Sequence, residues 1–204
     1  TRTASADVAI QGEDGVVLPN RYTDEVEDTY HEASTTYELD TDGMDSGAVY
    51  AIFHSGSNRI LYHASDSTTS DHVTGSASDG LLKLDSTYAA TRQTWTVTGD
   101  AETGYTVQSC EADERYLNLN AATSAGSRVP VTDEKQVLII TSVDGSAGSY
   151  TVSRVVEDQT LYLAHENSTT QHYVSTEAVP FQFYRQVITE AGYTYATSVT
   201  GLEA

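Results

Sequence analysis

Lysine is almost absent. Lys83 and Lys135 are the only two in 204 residues, and 10 Lys and Arg stand against 30 Asp and Glu. The formal charge of −20 repels phosphate backbones and anionic membrane surfaces, which argues against a nucleic-acid or membrane-surface partner. Cysteine occurs once, at Cys110. No intrachain disulfide can form, so a disulfide-framed secreted scaffold is excluded. Cys110 lies beside a predicted strand and reads as a buried, inert thiol. No apolar run approaches the length of a membrane span. The chain starts at Thr1 without a methionine or a signal-peptide pattern and stops at Gly201-Leu202-Glu203-Ala204. The expectation is a piece of a longer chain, with other domains among its partners.

What is present is enough for one domain with a core: 38% of the residues are hydrophobic. It is also repeated. Val49-Tyr50-Ala51-Ile52-Phe53 leads to Arg59-Ile60-Leu61-Tyr62. Gly104-Tyr105-Thr106-Val107 leads to Arg115-Tyr116-Leu117-Asn118-Leu119. Ser149-Tyr150-Thr151-Val152 leads to Thr160-Leu161-Tyr162-Leu163. Each is a short strand, a polar turn and a second strand. Each repeat closes on an alternating strand whose inward pairs are Trp95 with Val97, Leu138 with Ile140, and Phe181 with Phe183. Trp95, Leu138 and Phe181 are spaced by 43 residues and again by 43. The linking segments carry turn residues and no helical period. Repeat one alone is longer, with extra sequence around Gly75 to Thr87.

Three propeller blades would leave an open ring, and a solenoid would need capping repeats that are not visible. Three four-strand units closing one barrel remove the exposed edges and bury Trp95, Leu138 and Phe181 together. Gln93-Thr94-Trp95 matches the Gln-x-Trp signature of ricin-type β-trefoil domains, which the chain resembles over residues 46 to 188. Gln136-Val137-Leu138 keeps the glutamine, and Val179-Pro180-Phe181 keeps an aromatic residue. The resemblance implies an all-β β-trefoil with repeats at about 46–100, 101–145 and 146–188, a six-stranded barrel and three hairpin caps. Residues 1–45 would be an N-terminal extension, with strands at Val8-Ala9-Ile10 and Val16-Val17-Leu18 around a turn at Gly12–Gly15, packing on the barrel or on a preceding domain. Residues 189–204, with Tyr193, Tyr195 and Val199 evenly spaced, would be a linker, the start of a further β domain, or a strand that docks back.

Two sets of residues are candidate sites. Asp40, Asp42 and Asp45 put three carboxylates in one turn, a donor set that suits calcium. Ala51 stands where an EF-hand loop carries its last acid, and no other cofactor is indicated. The second set comes from related polar loops. Asp66-Ser67-Thr68-Thr69 leads to His72 in repeat one, and Asn167-Ser168-Thr169-Thr170 leads to His172 in repeat three. With Tyr173, Glu166 and the second-strand Asn118, these supply an aromatic face and polar groups of the kind a sugar ring needs. Plain hairpin loops are the alternative. Asn167-Ser168-Thr169 also fits a glycosylation sequon.

Ricin-type lectins place an Asn before the signature Gln. Here Arg92 and Lys135 stand there, so the family's galactose specificity does not carry over. No nucleophile elbow, phosphate loop or paired base marks a catalytic site. The expected function is a non-catalytic, carbohydrate-binding, lectin-like module of a secreted or cell-surface bacterial protein with a glycan partner. A spacer module of a multidomain adhesin or surface enzyme is the alternative.

Overall fold

The computed structural model describes residues 2–11, 17–26, 29–64, 66–112, 114–123, 127–167 and 171–194. Alternating side chains and frequent turn residues divide them into short strands. β1 (Arg2–Gln11), β2 (Val17–Val26), β3 (Thr29–His31) and β4 (Ser34–Leu39) come first. Repeat one follows as β5 (Ala48–His54), β6 (Arg59–Tyr62), β7 (Asp71–Thr74), β8 (Ser76–Ser78), β9 (Leu81–Lys83) and, after a 3-10 turn at Ala90–Gln93, β10 (Trp95–Asp100). Repeat two is β11 (Gly104–Ser109), β12 (Tyr116–Leu117), β13 (Val131–Thr132) and β14 (Ile139–Ser142). Repeat three is β15 (Ser149–Val156), β16 (Gln159–Ala164), β17 (Tyr173–Ser175) and β18 (Phe181–Thr189), and β19 (Gly192–Thr194) comes last.

Six strands close a barrel. β5 pairs with β10, β10 with β11, β14 with β15, β15 with β18, and β18 returns to β5. The remaining seam joins β11 to the residue before β14. There Tyr105 and Leu138 exchange both backbone hydrogen bonds, at 2.8 and 2.7 Å. Closure leaves the barrel strands without a free edge. The hairpins β6–β7, β12–β13 and β16–β17 cap it, one per repeat. This is the β-trefoil arrangement that the threefold spacing predicts.

The core repeats as well. Trp95 faces Tyr50, Leu138 faces Tyr105, and Phe181 faces Tyr150 across equivalent strand pairs. All six side chains are buried in one cluster. The indole N–H of Trp95 donates to the Leu61 carbonyl at 3.1 Å, which satisfies the one polar group of the largest core residue.

The compact unit that holds the barrel spans Thr36–Val187, so it starts earlier than the expected residue 46. The reason lies in the backbone. Leu39 N–H donates to Gly80 O at 2.8 Å, and Asp40 N–H donates to Phe183 O at 2.9 Å. β4 also pairs with β9 and β18. Together β4 and the insertion of repeat one cover the outside of the barrel. Tyr37 and Leu82 pack there with Ala51, Phe53, Ile60, Tyr62, Val73 and Tyr184 in a second buried cluster. Gly75 permits this close approach, since a Cβ there would lie 2.7 Å from the Ile60 side chain.

The flanking residues group separately. β1 and β2 form the expected antiparallel pair, with Ile10 opposite Leu18; the intervening turn lies outside the described residues. β19 pairs with β3, with Tyr193 opposite Tyr30. Tyr195, Val199 and the last four residues lie outside the described set. Cys110 is half-buried rather than buried, with Sγ 3.5 Å from Thr96 Oγ1.

Candidate functional site

The caps of repeats one and three meet, and the predicted loop residues divide there into two classes. His72 Nδ1 lies 3.1 Å from Gln171 Oε1 and joins the two loops. Behind that contact His72, His165 and His172 pack together, with ring centroids 5.8 Å apart for His72 and His165, 6.4 Å for His72 and His172, and 4.5 Å for His165 and His172. His54 joins them, 5.1 Å from His165. His172 is 0% exposed. It therefore lies in the core and cannot present a hydrogen bond to a surface ligand, a correction to its expected role.

Asn118 is corrected for the same reason. It is fully buried, donates to Thr132 Oγ1 at 3.2 Å and accepts from Gln136 Nε2 at 3.1 Å. Gln136 in turn accepts from Leu119 N–H. Gln93 accepts from Asp85 N–H at 2.9 Å and donates to the carbonyls of Asp85 and Tyr88 at 2.9 and 3.2 Å. Both signature glutamines thus tie loops to the barrel.

Tyr173, Glu166, Asn167 and Asp66 remain at the surface. Residues 168–170, which include most of the sequon, lie outside the described residues. Tyr173 lies opposite Ala164, and Tyr162 lies opposite Ser175, in the β16–β17 register. Tyr162 and Tyr173 are therefore diagonal neighbours on one face, within reach of each other. Both are half-buried, while Leu161, Leu163 and Val174 on the opposite face fill the core. Burial, then the charges of Glu166 and Glu177, push the Tyr173 hydroxyl pKa upward. The hydroxyl stays protonated at neutral pH and can donate a hydrogen bond beside two carboxylates that accept. Asp66 sits in the equivalent cap of repeat one and makes no described contact with this group.

The carboxylates of the Asp40–Asp45 turn do not converge. Asp40 accepts from Asp42 N–H at 3.1 Å, from Gly43 N–H at 3.2 Å and from the Tyr50 hydroxyl at 2.8 Å. The Tyr50 hydroxyl also accepts from Asp45 N–H at 2.8 Å. The Asp45 side chain pairs with Arg185. Asp42 is exposed. Among the described residues, no three His, Cys, Asp or Glu side chains are grouped to hold a metal ion. Asp40 anchors the turn at the start of the unit, and Asp45 ties it to β18 through Arg185.

Two surface depressions were not visible in the sequence. One, of about 360 Å³, lies where the insertion meets repeats one and three; its lining includes Ser55, Asn58, Asp79, Gln182 and Tyr184. Asn58 and Asp79 in its lining take left-handed conformations, with φ of 56° and 51°. The other, of about 430 Å³, is lined by Thr41, Tyr150 and the 142–149 turn. The signal for the first was the extra length of repeat one.

No known family model matches the chain, and no curated protein is similar to it in sequence. Solved structures similar to it include SeviL bound to asialo-GM1 saccharide, at 14% identity and a TM-score of 0.46, covering 68% of this chain and 97% of that one. The Macrolepiota procera ricin B-like lectin in complex with lactose is 13% identical, with a TM-score of 0.45 over 72% of this chain and 99% of that one. The designed threefold-symmetric protein ThreeFoil is 18% identical, with a TM-score of 0.45 over 67% and 97%. The chain's own strand pairing, a closed six-strand barrel with three hairpin caps, makes it a β-trefoil.

Proposed function

We propose that this chain is a non-catalytic, carbohydrate-binding module of a secreted or cell-surface bacterial protein. The observation that carries the reading is the outer face of the β16–β17 cap. It carries two half-buried tyrosines at diagonal positions, Tyr162 and Tyr173, with the charges of Glu166 and Glu177 acting on the Tyr173 hydroxyl. A sugar ring offers a C–H face to an aromatic ring and hydroxyls to acceptors, and this face supplies both. A lysine-poor, acidic surface suits a neutral or cationic glycan over an anionic one. The test is a glycan array followed by calorimetric titration of the best hit. Tyr173→Ala is expected to weaken binding tenfold or more. Absence of binding across neutral and amino sugars defeats the reading.

A second reading, a spacer in a multidomain chain, draws on the pairing of β3 with β19. β3 and β19, which flank the barrel unit in sequence, pair with each other, and the Tyr30 and Tyr193 rings lie 5.1 Å apart.

A further inference from the structure

The threefold register shows where the repeats differ chemically. Leu61 pairs with His72, Leu117 with Val131, and Leu163 with Val174. Two residues after those leucines stand His63, Leu119 and His165. Two residues before their partners stand Ser70, Val129 and His172. All six are buried. Repeat two fills its pair of places with Leu119 and Val129. Repeat three fills them with two histidines; no ring nitrogen of His165 or His172 meets a side-chain hydrogen-bond partner, and each ring faces a single backbone group, at Asn167 and Asp71. His63, in repeat one, is satisfied by Ser109 Oγ at 2.8 Å and Ser67 O at 2.9 Å. Plain packing would favour the apolar pair, since a buried polar group without a partner is costly.

The two rings belong to a larger cluster that spans two repeats. His54 comes from β5 and has Nδ1 2.8 Å from Ser57 Oγ. His72 comes from β7. His54 and His172 both pack against the Phe181 ring, at 5.5 and 5.8 Å. Few counter-charges face this group. Asp71 on β7 pairs with Arg128 at 2.8 Å and lies 3.5 Å from His72. Arg59 on β6 adds positive charge near His165. Glu166, next in the chain, points to solvent.

We propose that His54, His72, His165 and His172 form an acid-sensitive latch: the packed rings hold the β16–β17 cap against repeat one, and protonation of His165 and His172 releases it. Burial lowers the pKa of His165 to about 4, with the charges of His54 and His72 adding to the shift. Burial and the neighbouring histidines lower that of His172 too. Backbone groups at Asn167 and Asp71 act in the opposite sense and are outweighed. In an opened cap both rings return to their ordinary value of 6.5. Below that pH the open form binds more protons than the closed one, so the closed form loses ground as pH falls from 6.5 toward 4.

The charge of the whole molecule works the other way. Its net −20 shrinks toward an isoelectric point of about 4.3 over the same range, which relieves self-repulsion. Acid-induced loosening confined to this cap therefore belongs to the cluster.

The experiment measures backbone amide protection in the whole chain at steps between about pH 7.5 and 4.5, for the wild type and for His165→Leu with His172→Val, the residues repeat two uses. In the wild type, opening of β16–β17 rises about tenfold per pH unit for each ring that gains a proton. The β12–β13 cap stays flat, and the double variant is flat in both caps. A parallel imidazole titration of the wild type by NMR is independent of how well the variant folds. It is expected to show His165 and His172 neutral until the cap opens. A pH-independent β16–β17 cap, equal loosening of both caps, or free titration of His165 and His172 near 6.5 in a closed cap would overturn the proposal.

Discussion

Trp95 shows how one residue sets the geometry of a repeat. Its ring fills the centre of the barrel at the place Leu138 and Phe181 occupy in the other repeats, and its N–H needs the Leu61 carbonyl. Replacing it with leucine, the residue of repeat two, removes volume that Tyr50 and Val97 cannot refill and leaves that carbonyl without its partner. Trp95→Leu is expected to cost about 2–4 kcal/mol, measured as a shift in the urea midpoint with an unchanged slope. A loss below about 1 kcal/mol would mean that the site collapses around leucine. The spacing of Trp95, Leu138 and Phe181 was readable in the sequence because alternation along a strand assigns each side chain a face. The burial of His172 and Asn118 was not: His172 follows a polar run, Asn118 is a polar residue between Leu117 and Leu119, and the depth of both depends on how the caps close over the barrel.

Among the elements, the insertion of repeat one was the least legible. Residues from Gly75 to Thr87 read as a tolerated loop, since added loop length costs little. In the fold they make β8 and β9, and Leu82 covers the outer face of β5 and β18 beside Tyr37. That contact joins residues far apart in sequence, so no local pattern announces it. Leu82→Ala is expected to destabilise the chain by about 2–4 kcal/mol. Hydrogen exchange should show the loss concentrated in β4, β8 and β9, whereas uniform loss across the barrel strands would contradict a separate outer layer. The caps were legible as hairpins but not as neighbours. The loops leading to His72 and His172 looked alike, but the strand register sets His72 at the place of Val174 and Ser70 at that of His172. What the pattern could not supply was that His165 packs against both His72 and His172, with His54 beside it, since neither His54 nor His165 lies in the polar runs that carried the comparison.

At the scale of the whole molecule, the closed barrel positions everything else. The resemblance to ricin-type domains rested on one intact signature and a threefold interval, and the strand pairing bears out the threefold interval. The family's sugar-binding set is absent from this sequence. A ligand face, if built on this scaffold, has to use other residues, and the β16–β17 cap offers Tyr162, Tyr173, Glu166 and Glu177. The most direct measurement is a titration of the chain with the best glycan from an array, followed by backbone amide shifts. The account predicts shifts concentrated in Tyr162–Ala164 and Tyr173–Glu177. Shifts centred instead on Asn58, Asp79 and Gln182, or none at saturating sugar, would contradict it.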